Sequence, residues 1–204
     1  MPVIEHSAAL LLLWALVGYV LGSVPFGMIL ARIMGLGNLR DIGSGNIGAT
    51  NVLRTGNKTA AALTLIFDAG KGAVALLVAR AYGGEDAAQV AGLMAMIGHC
   101  YPVWLGFAGG KGVATYLGIA LALNPFVGAL GCLAWLVGAF ATRISSMGAL
   151  VSAASFTFVL MLTGNGTALV FGVLLTVLVF WRHRANIARI RVGTEPKIGA
   201  KTQS

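Results

Sequence analysis

Long apolar segments follow one another along most of the chain, and short polar or glycine-rich connections separate them. The segments run approximately over residues 8–34, 59–82, 87–105, 112–123, 125–141, 144–163 and 168–181. A helix needs about 20 apolar residues to cross the hydrocarbon core of a bilayer. The pattern therefore predicts one all-α domain over residues 1–204, a polytopic membrane bundle of about seven transmembrane helices.

The fourth segment, residues 112–123, is too short to cross about 30 Å of hydrocarbon at a helical rise of about 1.5 Å per residue. It could borrow residues from the glycine-rich stretch before it or from the turn at Asn124-Pro125. Alternatively, residues 112–141 form a re-entrant hairpin. Either arrangement leaves the expected sides of the connections unchanged.

Composition agrees with the apolar pattern. The chain is 58% hydrophobic and only 10% charged, whereas a soluble domain carries roughly 25% charged residues. The net charge of +8 does not indicate a nucleic-acid partner, because the basic residues sit where membrane topology places them. Cys100 and Cys132 lie in apolar segments without metal-ligand spacing, so we expect no metal, no disulfide framework and no cofactor.

The charges sort onto alternate connections. One set holds Arg32, Arg40, Arg54, Lys58, Lys111, Arg143 and the basic tail 182–204, and the other holds Glu5, Arg80, Glu85 and Asp86. Connections rich in Lys and Arg face the cytoplasm. We therefore expect the N-terminus outside and the C-terminus in the cytoplasm. The long connections 35–58 and 106–112 and the tail share the cytoplasmic side, where we expect the protein to act.

Residues 41–54 are dense in glycine and small polar side chains. Glycine permits positive φ, and successive backbone amides in such a loop can form a concave anion site. The candidate ligands are Ser44, Gly45, Asn46, Thr50, Asn51 and Arg54. Arg54 adds a bidentate cation suited to phosphate. The alternative is a capped loop between two spans, in which Ser44 or Asn46 serves as a helix N-cap.

A second polar segment, Gly109-Gly110-Lys111-Gly112, is predicted to open a helix that also contains Thr115. Backbone amides and the helix dipole favour an anion at such a start, and Lys111 adds a point charge. The spacing and the missing hydroxyl exclude a Walker A loop, so no nucleotide site is expected. The alternative is a lone lysine placed there by membrane topology.

Two further polar groups need an explanation. Asp68 and Lys71 lie inside an apolar segment and are three residues apart, so they can pair on one helix face. His183 and Asn186 have the same spacing just after the last span, and Glu195 follows. A basic tail of this kind is usually an anchor on anionic lipid, but that does not explain Asn186 or Glu195.

Five motifs together resemble the bacterial acyl-phosphate:glycerol-3-phosphate acyltransferases, the PlsY family. They are GSVPFG at 22–27, GSGNIGATN at 43–51, DAGKG at 68–72, GGKGVAT at 109–115, and His183 and Asn186 with Gly193 and Glu195. Their order and spacing are kept from about residue 20 to 196. The resemblance implies a seven-span enzyme of the bacterial inner membrane with its active site on the cytoplasmic side.

The implied reaction moves an acyl group from acyl phosphate to the sn-1 hydroxyl of glycerol 3-phosphate. It gives lysophosphatidic acid and phosphate, the first acylation step of phospholipid synthesis. Acyl-CoA and acyl-carrier protein would not be direct donors. Membrane lipid is an expected partner, and a soluble enzyme that makes acyl phosphate is a candidate partner.

In this interpretation the catalytic residues are Ser44, Arg54, Lys111, His183 and Asn186. Substrate or phosphate would contact Gly45, Asn46, Thr50, Asn51, Gly109, Gly110, Gly112, Thr115 and Glu195, whereas Asp68, Lys71 and His99 would be structural. The hydroxyl proton would pass to a substrate phosphate, and His99 or His183 as general base is the competing hypothesis. Trp104 and Phe107 would line the entrance for the acyl chain.

Two rivals from other classes remain at this point. A transporter or channel for a phosphorylated solute would make use of Asp68 and Lys71. A structural scaffold would explain the spacing of Gly106 and Gly110 as helix packing.

Overall fold

The computed structural model describes residues 2–199, which are helical and contain no β-strand. The helices are α1 (Ala8–Ser23), α2 (Phe26–Ile33), α3 (Ala49–Leu53), α4 (Lys58–Cys100), α5 (Val113–Leu123), α6 (Pro125–Thr142), α7 (Ser145–Leu162), α8 (Leu169–Arg182) and α9 (Arg184–Arg191). Short 3-10 turns cover Leu39–Asp41, Val103–Leu105 and Gly166–Ala168. The predicted all-α class is confirmed.

The predicted first span, residues 8–34, is broken between α1 and α2. Val24 leaves the helical conformation, with φ −64° and ψ 117°, because the residue before a proline is disfavoured in the α region. The break frees the Val24 carbonyl, which accepts a hydrogen bond of 2.7 Å from the Lys71 ammonium. The predicted segment thus contains two helices that together form one candidate span, Ala8–Ile33. The break places a backbone acceptor where a buried cation needs one.

The second and third predicted spans are the two halves of α4. Gly84, with φ 70° and ψ −170°, departs from helical geometry within α4, so the predicted connection 83–86 is a turn centred on that residue. Glycine adopts this conformation at little cost. The halves run antiparallel, because Arg80 pairs with Glu85 near the turn and Asp68 lies 3.7 Å from His99 at the far end. The second half ends at Cys100 rather than at residue 105.

Glycines let α1 pack directly against the second half of α4. A Cβ built on Gly18 would collide with the Ala91 carbonyl, and one on Gly22 would collide with the Ala95 carbonyl. Such close backbone approach is typical of helix packing in membranes. The larger core lies on the other side of α4, where Tyr116 of α5 and Phe156 of α7 are fully buried.

Large apolar side chains cover the outer surface of the bundle. Phe140, for example, is 78% exposed and Leu12 is 70% exposed. Such a surface is unfavourable in water and suits lipid. Within residues 2–199, four stretches can cross a membrane by length and composition: Ala8–Ile33, Lys58–Leu105, Pro125–Thr142 and Ser145–Leu162.

A fifth crossing results if Gly166–Arg182 and Arg184–Arg191, which meet at 60°, form one broken span. The stretch Lys58–Leu105 contains both halves of the α4 hairpin, and α5 has only 11 residues. The protein is therefore a multi-pass membrane protein. The count of seven spans, the alternative re-entrant hairpin and the orientation of the termini stay predictions.

We expect Gly22→Ala to lower the thermal stability of the purified protein, because its methyl group would force α1 away from the Ala95 backbone. Overpacking of this kind costs roughly 1–3 kcal/mol. Gly70→Ala in α4 is the matched control, since a Cβ there has no neighbour within 4 Å. Equal melting temperatures for the two variants in detergent would show that the α1–α4 contact is not as close as described.

Candidate active site

Two predicted phosphate loops meet at one end of the bundle. Arg40 donates from Nη1 to the Gly45 carbonyl at 3.2 Å and from Nη2 to the Ala108 carbonyl. Arg40 thus joins the connection after α2 to the glycine-rich connection before α5. Thr50 Oγ1 lies 3.4 Å from Ser145 Oγ, which brings the start of α7 to the same place.

The C-terminal segment reaches the same end of the bundle. Arg182, the last residue of α8, donates from Nε to the Gly110 carbonyl and from Nη2 to the Gly109 carbonyl, each at 3.0 Å. Ser146 Oγ donates to Glu195 Oε1 at 2.7 Å, so the tail is fixed to the start of α7. Segments far apart in the sequence therefore form one continuous polar surface.

Asn51 organises the first loop from within. Its Oδ1 accepts from the amide of Ser44 at 3.1 Å and from the Ser44 hydroxyl at 3.3 Å. Its Nδ2 donates to the Leu39 carbonyl at 2.9 Å and to the Asn46 carbonyl at 2.7 Å. These four hydrogen bonds use the full capacity of the side chain. Asn51 was predicted to contact substrate or phosphate. In the structure its side chain supports the loop instead and has no free group for a ligand.

The exposed face of this loop carries Ser44 and Arg54. Gly43 has φ +53°, and a Cβ on it would lie 2.5 Å from Arg54 Nη1, so the missing side chain makes room for the guanidinium. Asn46 Oδ1 accepts from the neighbouring Ile47 amide at 2.9 Å. Gly48 is the N-cap of α3. The alternative in which Ser44 or Asn46 caps a helix is therefore wrong.

The glycine-rich loop has fewer backbone amides free to bind an anion than expected. The amide of Gly109 donates to the Cys100 carbonyl at 3.1 Å, and that of Gly110 donates to the His99 carbonyl at 3.0 Å. These two amides cannot also bind phosphate, contrary to expectation. Within residues 2–199, the amides of Lys111 and Gly112 have no acceptor in the loop network.

The same loop packs tightly against the second half of α4. A Cβ on Gly110 would collide with the His99 ring, and one on Gly112 would collide with Met96. Gly112 has φ 81° and is the N-cap of α5. Thr115 in the first turn is fully buried, and its hydroxyl has no partner among the residues that the structure describes. Thr115 packs against Gly72 in the interior of the bundle.

Lys111 stands at the centre of a cluster of charges. Burial lowers the pKa of Lys111 to about 8; the Glu195 carboxylate opposes this shift, while Arg189, Arg54 and Arg182 add to the lowering. Lys111 is half-buried, so its charge is only partly screened by water. Cations from three parts of the chain are therefore near enough to repel the Lys111 ammonium, and an anion bound among them would relieve that repulsion.

His183 is buried at the junction of α8 and α9. Its Nδ1 lies 2.8 Å from the Val179 carbonyl, which can only accept, so Nδ1 carries the proton and Nε2 keeps a lone pair. Burial lowers the pKa of His183 to about 4; the Val179 hydrogen bond opposes this shift, and Lys111 adds to it. The imidazole is thus neutral at pH 7 and can accept a hydrogen bond.

Asn186 is 3% exposed and is half satisfied. Its Nδ2 donates to Glu195 Oε1, whereas its Oδ1 has no partner within residues 2–199. Glu195 Oε2 accepts from Arg189 Nε at 2.7 Å. Burial raises the pKa of Glu195, but hydrogen bonds from Ser146, Asn186 and Arg189 outweigh it and lower the pKa below its usual value. The Glu195 carboxylate therefore fixes the Asn186 amide and leaves a buried acceptor ready for a donor.

The predicted pairing of Asp68 with Lys71 is present inside the bundle, with Nζ 2.8 Å from Oδ1. Both side chains and His99 are buried. His99 contacts Gly110, so this ionic group lies under the glycine-rich loop. The contacts support a structural role for all three residues.

Sequence analysis missed Arg40, Arg182 and Ser146. The two arginines stood out only as members of basic connections, and both bind backbone carbonyls, which no side-chain motif reveals. Trp104 and Phe107, expected at the acyl entrance, are 62% and 59% exposed next to this loop. Trp104 is held by a 2.7 Å hydrogen bond from Nε1 to Ser23 Oγ.

A helical bundle with a lipid-facing surface and clustered cations at one end is typical of an integral membrane protein that acts on an anion. Comparison with known proteins agrees with this class. The sequence profile of the family described as glycerol-3-phosphate acyltransferase matches residues 12–193. The chain therefore belongs to the glycerol-3-phosphate acyltransferase family and is an acyltransferase.

Similar proteins named glycerol-3-phosphate acyltransferase occur in bacteria. The chain is 71% identical to that of Roseobacter denitrificans over 97% of this chain and 99% of the relative. It is 67% identical to that of Ruegeria pomeroyi over 99% of this chain and the whole relative.

Two solved structures are also similar. Both are crystal structures of PlsY, an integral membrane glycerol 3-phosphate acyltransferase. Its glycerol 3-phosphate form has a TM-score of 0.88 at 36% identity, covering 93% of this chain and 96% of that one. Its lysophosphatidic acid form has a TM-score of 0.85 at 34% identity, covering 93% and 95% of the two chains.

We expect sulfate to bind this site with an affinity that falls as pH rises through about 8, where Lys111 loses its proton. Sulfate is the probe because its own charge does not change in this range. Lys111→Arg keeps its charge because a guanidinium stays protonated, so its affinity should stay level. Calorimetry at constant ionic strength measures the sulfate affinity of both proteins as a function of pH. If the wild-type affinity does not change with pH, or if it falls equally in Lys111→Arg, Lys111 is not the titrating cation.

Proposed function

We propose that the protein transfers an acyl group from acyl phosphate to the sn-1 hydroxyl of glycerol 3-phosphate, releasing lysophosphatidic acid and phosphate. This would be the first acylation step of phospholipid synthesis. The observation that carries the proposal is the convergence of Lys111 with Arg54 and Glu195. Glu195 holds the Asn186 amide, whose buried oxygen has no partner within residues 2–199. Cations bind the phosphates, and the amide oxygen accepts from a hydroxyl.

Acyl phosphate suits this site as donor because both substrates then present the same group. Lys111 lies within the influence of Arg54, Arg182 and Arg189, a concentration of charge that fits two phosphoryl groups better than one. Acyl phosphate is a mixed anhydride with a good leaving group. The enzyme would therefore need mainly to hold two anions in register and to stabilise developing charge.

The bond changes are simple. The sn-1 hydroxyl oxygen attacks the acyl carbonyl, the bond from the carbonyl carbon to the phosphate oxygen breaks, and phosphate leaves. The hydroxyl proton passes to a phosphate oxygen of the substrate. In this proposal Asn186 Oδ1 and His183 Nε2 accept from the glycerol hydroxyls, and Lys111 with Arg54 stabilises the phosphate charge as it grows.

A histidine base is the weaker alternative. His99 is buried against Asp68 and Gly110, beneath the glycine-rich loop. His183 is better placed, but its pKa of about 4 makes it a weak proton acceptor near neutral pH. These observations favour transfer of the proton to a substrate phosphate.

The basic connections that carry the site favour the cytoplasmic face of the inner membrane for the reaction. The acyl chain would lie among apolar helix faces that are open to lipid, beside Trp104 and Phe107. A donor that is made in the cytoplasm would reach the site there, so a soluble enzyme that makes acyl phosphate is a candidate partner.

Neither rival class explains the site as well. Lys71 is buried and binds Asp68 and the Val24 carbonyl, an arrangement that favours a structural pair over a solute pathway. A scaffold gives no purpose to the unpaired oxygen of Asn186.

We expect Lys111→Ala and Arg54→Ala to lower kcat/KM by roughly 100-fold or more, the usual cost of removing a group that stabilises transition-state charge. Lys58→Ala is the matched control, because it removes a cation from the exposed start of α4. All three proteins should purify from membranes with the wild-type yield. Wild-type turnover in both site variants would contradict the phosphate-binding mechanism.

The donor is tested separately. Purified protein receives labelled glycerol 3-phosphate with acyl phosphate, acyl-CoA or acyl-carrier protein, each alone. Labelled lysophosphatidic acid should form only with acyl phosphate. Equal product from a thioester would overturn the proposed donor and leave the acyltransferase class intact.

A further inference from the structure

Three successive carbonyls of the glycine-rich loop are bound by guanidinium groups. Arg40 donates to that of Ala108, and Arg182 donates to those of Gly109 and Gly110. We propose that Arg40 and Arg182 are positioning residues that turn these carbonyls away from the anion site, so that Lys111 and its amide face the substrate phosphate. The inference rests on the proposed function of the site.

Peptide geometry supports this role. In a trans peptide the C=O and N–H bonds point in opposite directions. Because the Gly110 carbonyl points to Arg182, the amide of Lys111 points away from that guanidinium and is left without an acceptor in the loop network of residues 2–199. A carbonyl turned toward the site would instead present its partial negative charge to a phosphate.

The loop also needs outside support because it is built largely from glycine. Gly109 and Gly110 have no side chain to pack and lose much conformational freedom when ordered. Their amides are tied to α4 through the carbonyls of Cys100 and His99, and their own carbonyls are tied to Arg182. The two residues before Lys111 are therefore held by α4 through their amides and by Arg182 through their carbonyls.

Both arginines are themselves fixed. The Arg182 guanidinium lies 4.8 Å from the centre of the Tyr101 ring, and the Tyr101 carbonyl accepts from the Tyr19 hydroxyl at 2.8 Å. Arg40 also binds the Gly45 carbonyl at 3.2 Å. Arg40 thus sets the distance between the two phosphate loops, and Arg182 sets the orientation of one of them.

Lysine cannot replace either arginine. Its ammonium is a single point charge, whereas the planar guanidinium offers several donors in a fixed arrangement. Arg182→Lys and Arg40→Lys therefore keep the charge and remove the geometry. Arg184→Lys and Arg32→Lys are the matched controls, since Arg184 lies over Trp181 and Arg32 is an exposed residue at the end of α2.

We expect each site variant to lose about 100-fold in kcat/KM, the cost of a displacement of about 1 Å in a catalytic group, and each control to stay within about twofold. Arg182→Lys should slow a Lys111→Ala enzyme by much less than about 100-fold, because the part of its effect that acts through the lysine side chain is already lost and only the amide of residue 111 remains to be displaced. A residue needed only for stability would not be coupled to Lys111 in this way. The proposal is overturned if the losses in kcat/KM of the two single variants multiply in the double variant, or if Arg182→Lys is fully active.

Hydrogen exchange gives a second readout that needs no activity. The amides of Gly109 and Gly110 should exchange at least about tenfold faster in Arg182→Lys than in the wild type or Arg184→Lys. If these amides exchange faster in Arg182→Lys but the wild-type protein shows no acyl transfer, the positioning role of Arg182 is supported and the proposed function is contradicted. If exchange is unchanged in Arg182→Lys and that variant is fully active, the positioning role is contradicted and the proposed function is not. If Arg182→Lys does not fold, the same measurement on Ala108 and Gly109 in Arg40→Lys decides the question.

Discussion

The structure depends on holding several positive charges close together where water is partly excluded. Lys111 lies within the influence of Arg54, Arg182 and Arg189, against which stands the Glu195 carboxylate. Repulsion between like charges grows as the effective dielectric constant falls. Such a cluster is unfavourable by itself and becomes favourable when an anion joins it. The fold therefore supplies the contacts that hold these charges together, and in the proposed function a bound phosphate would lower their repulsion.

Contacts at the ends and breaks of helices hold the charged residues in place. The turn at Gly84 folds α4 back on itself and places His99 beneath the glycine-rich loop. The break before Pro25 supplies the Val24 carbonyl that completes the buried pair of Asp68 and Lys71. In a membrane, backbone groups that leave a helix must find partners inside the protein. Here Lys71 binds the Val24 carbonyl, and Arg40 and Arg182 bind the carbonyls of the glycine-rich loop.

The tail has a comparable double role. Glu195 binds Ser146 at the start of α7 and Arg189 in α9, and through Asn186 it orients a buried acceptor. A basic juxtamembrane helix would serve as a lipid anchor without these contacts. With them, α9 becomes one wall of the site. The cluster is thus built from both chain halves, although no single segment contains enough polar groups to bind two phosphates.

Much of this could be predicted from the sequence. Hydropathy showed the helical membrane class, and the motifs showed which segments carry Lys111, Arg54 and Asn186, because apolar length and glycine-rich loops are local signals. The turn at Gly84 was visible as a connection, since Gly-Gly-Glu-Asp at 83–86 separates two apolar segments. Arg40 and Arg182 were missed as site residues, and the amides of Gly109 and Gly110 were wrongly assigned to phosphate. Contacts of that kind depend on which backbone groups the fold leaves free.

The most direct test of the central claim is an electron-density map of the protein crystallised with glycerol 3-phosphate. The account predicts phosphate density within hydrogen-bond distance of Lys111 or Arg54, with a glycerol hydroxyl donating to Asn186 Oδ1. Clear ligand density elsewhere on the protein, with the Asn186 oxygen still unpaired, would contradict it.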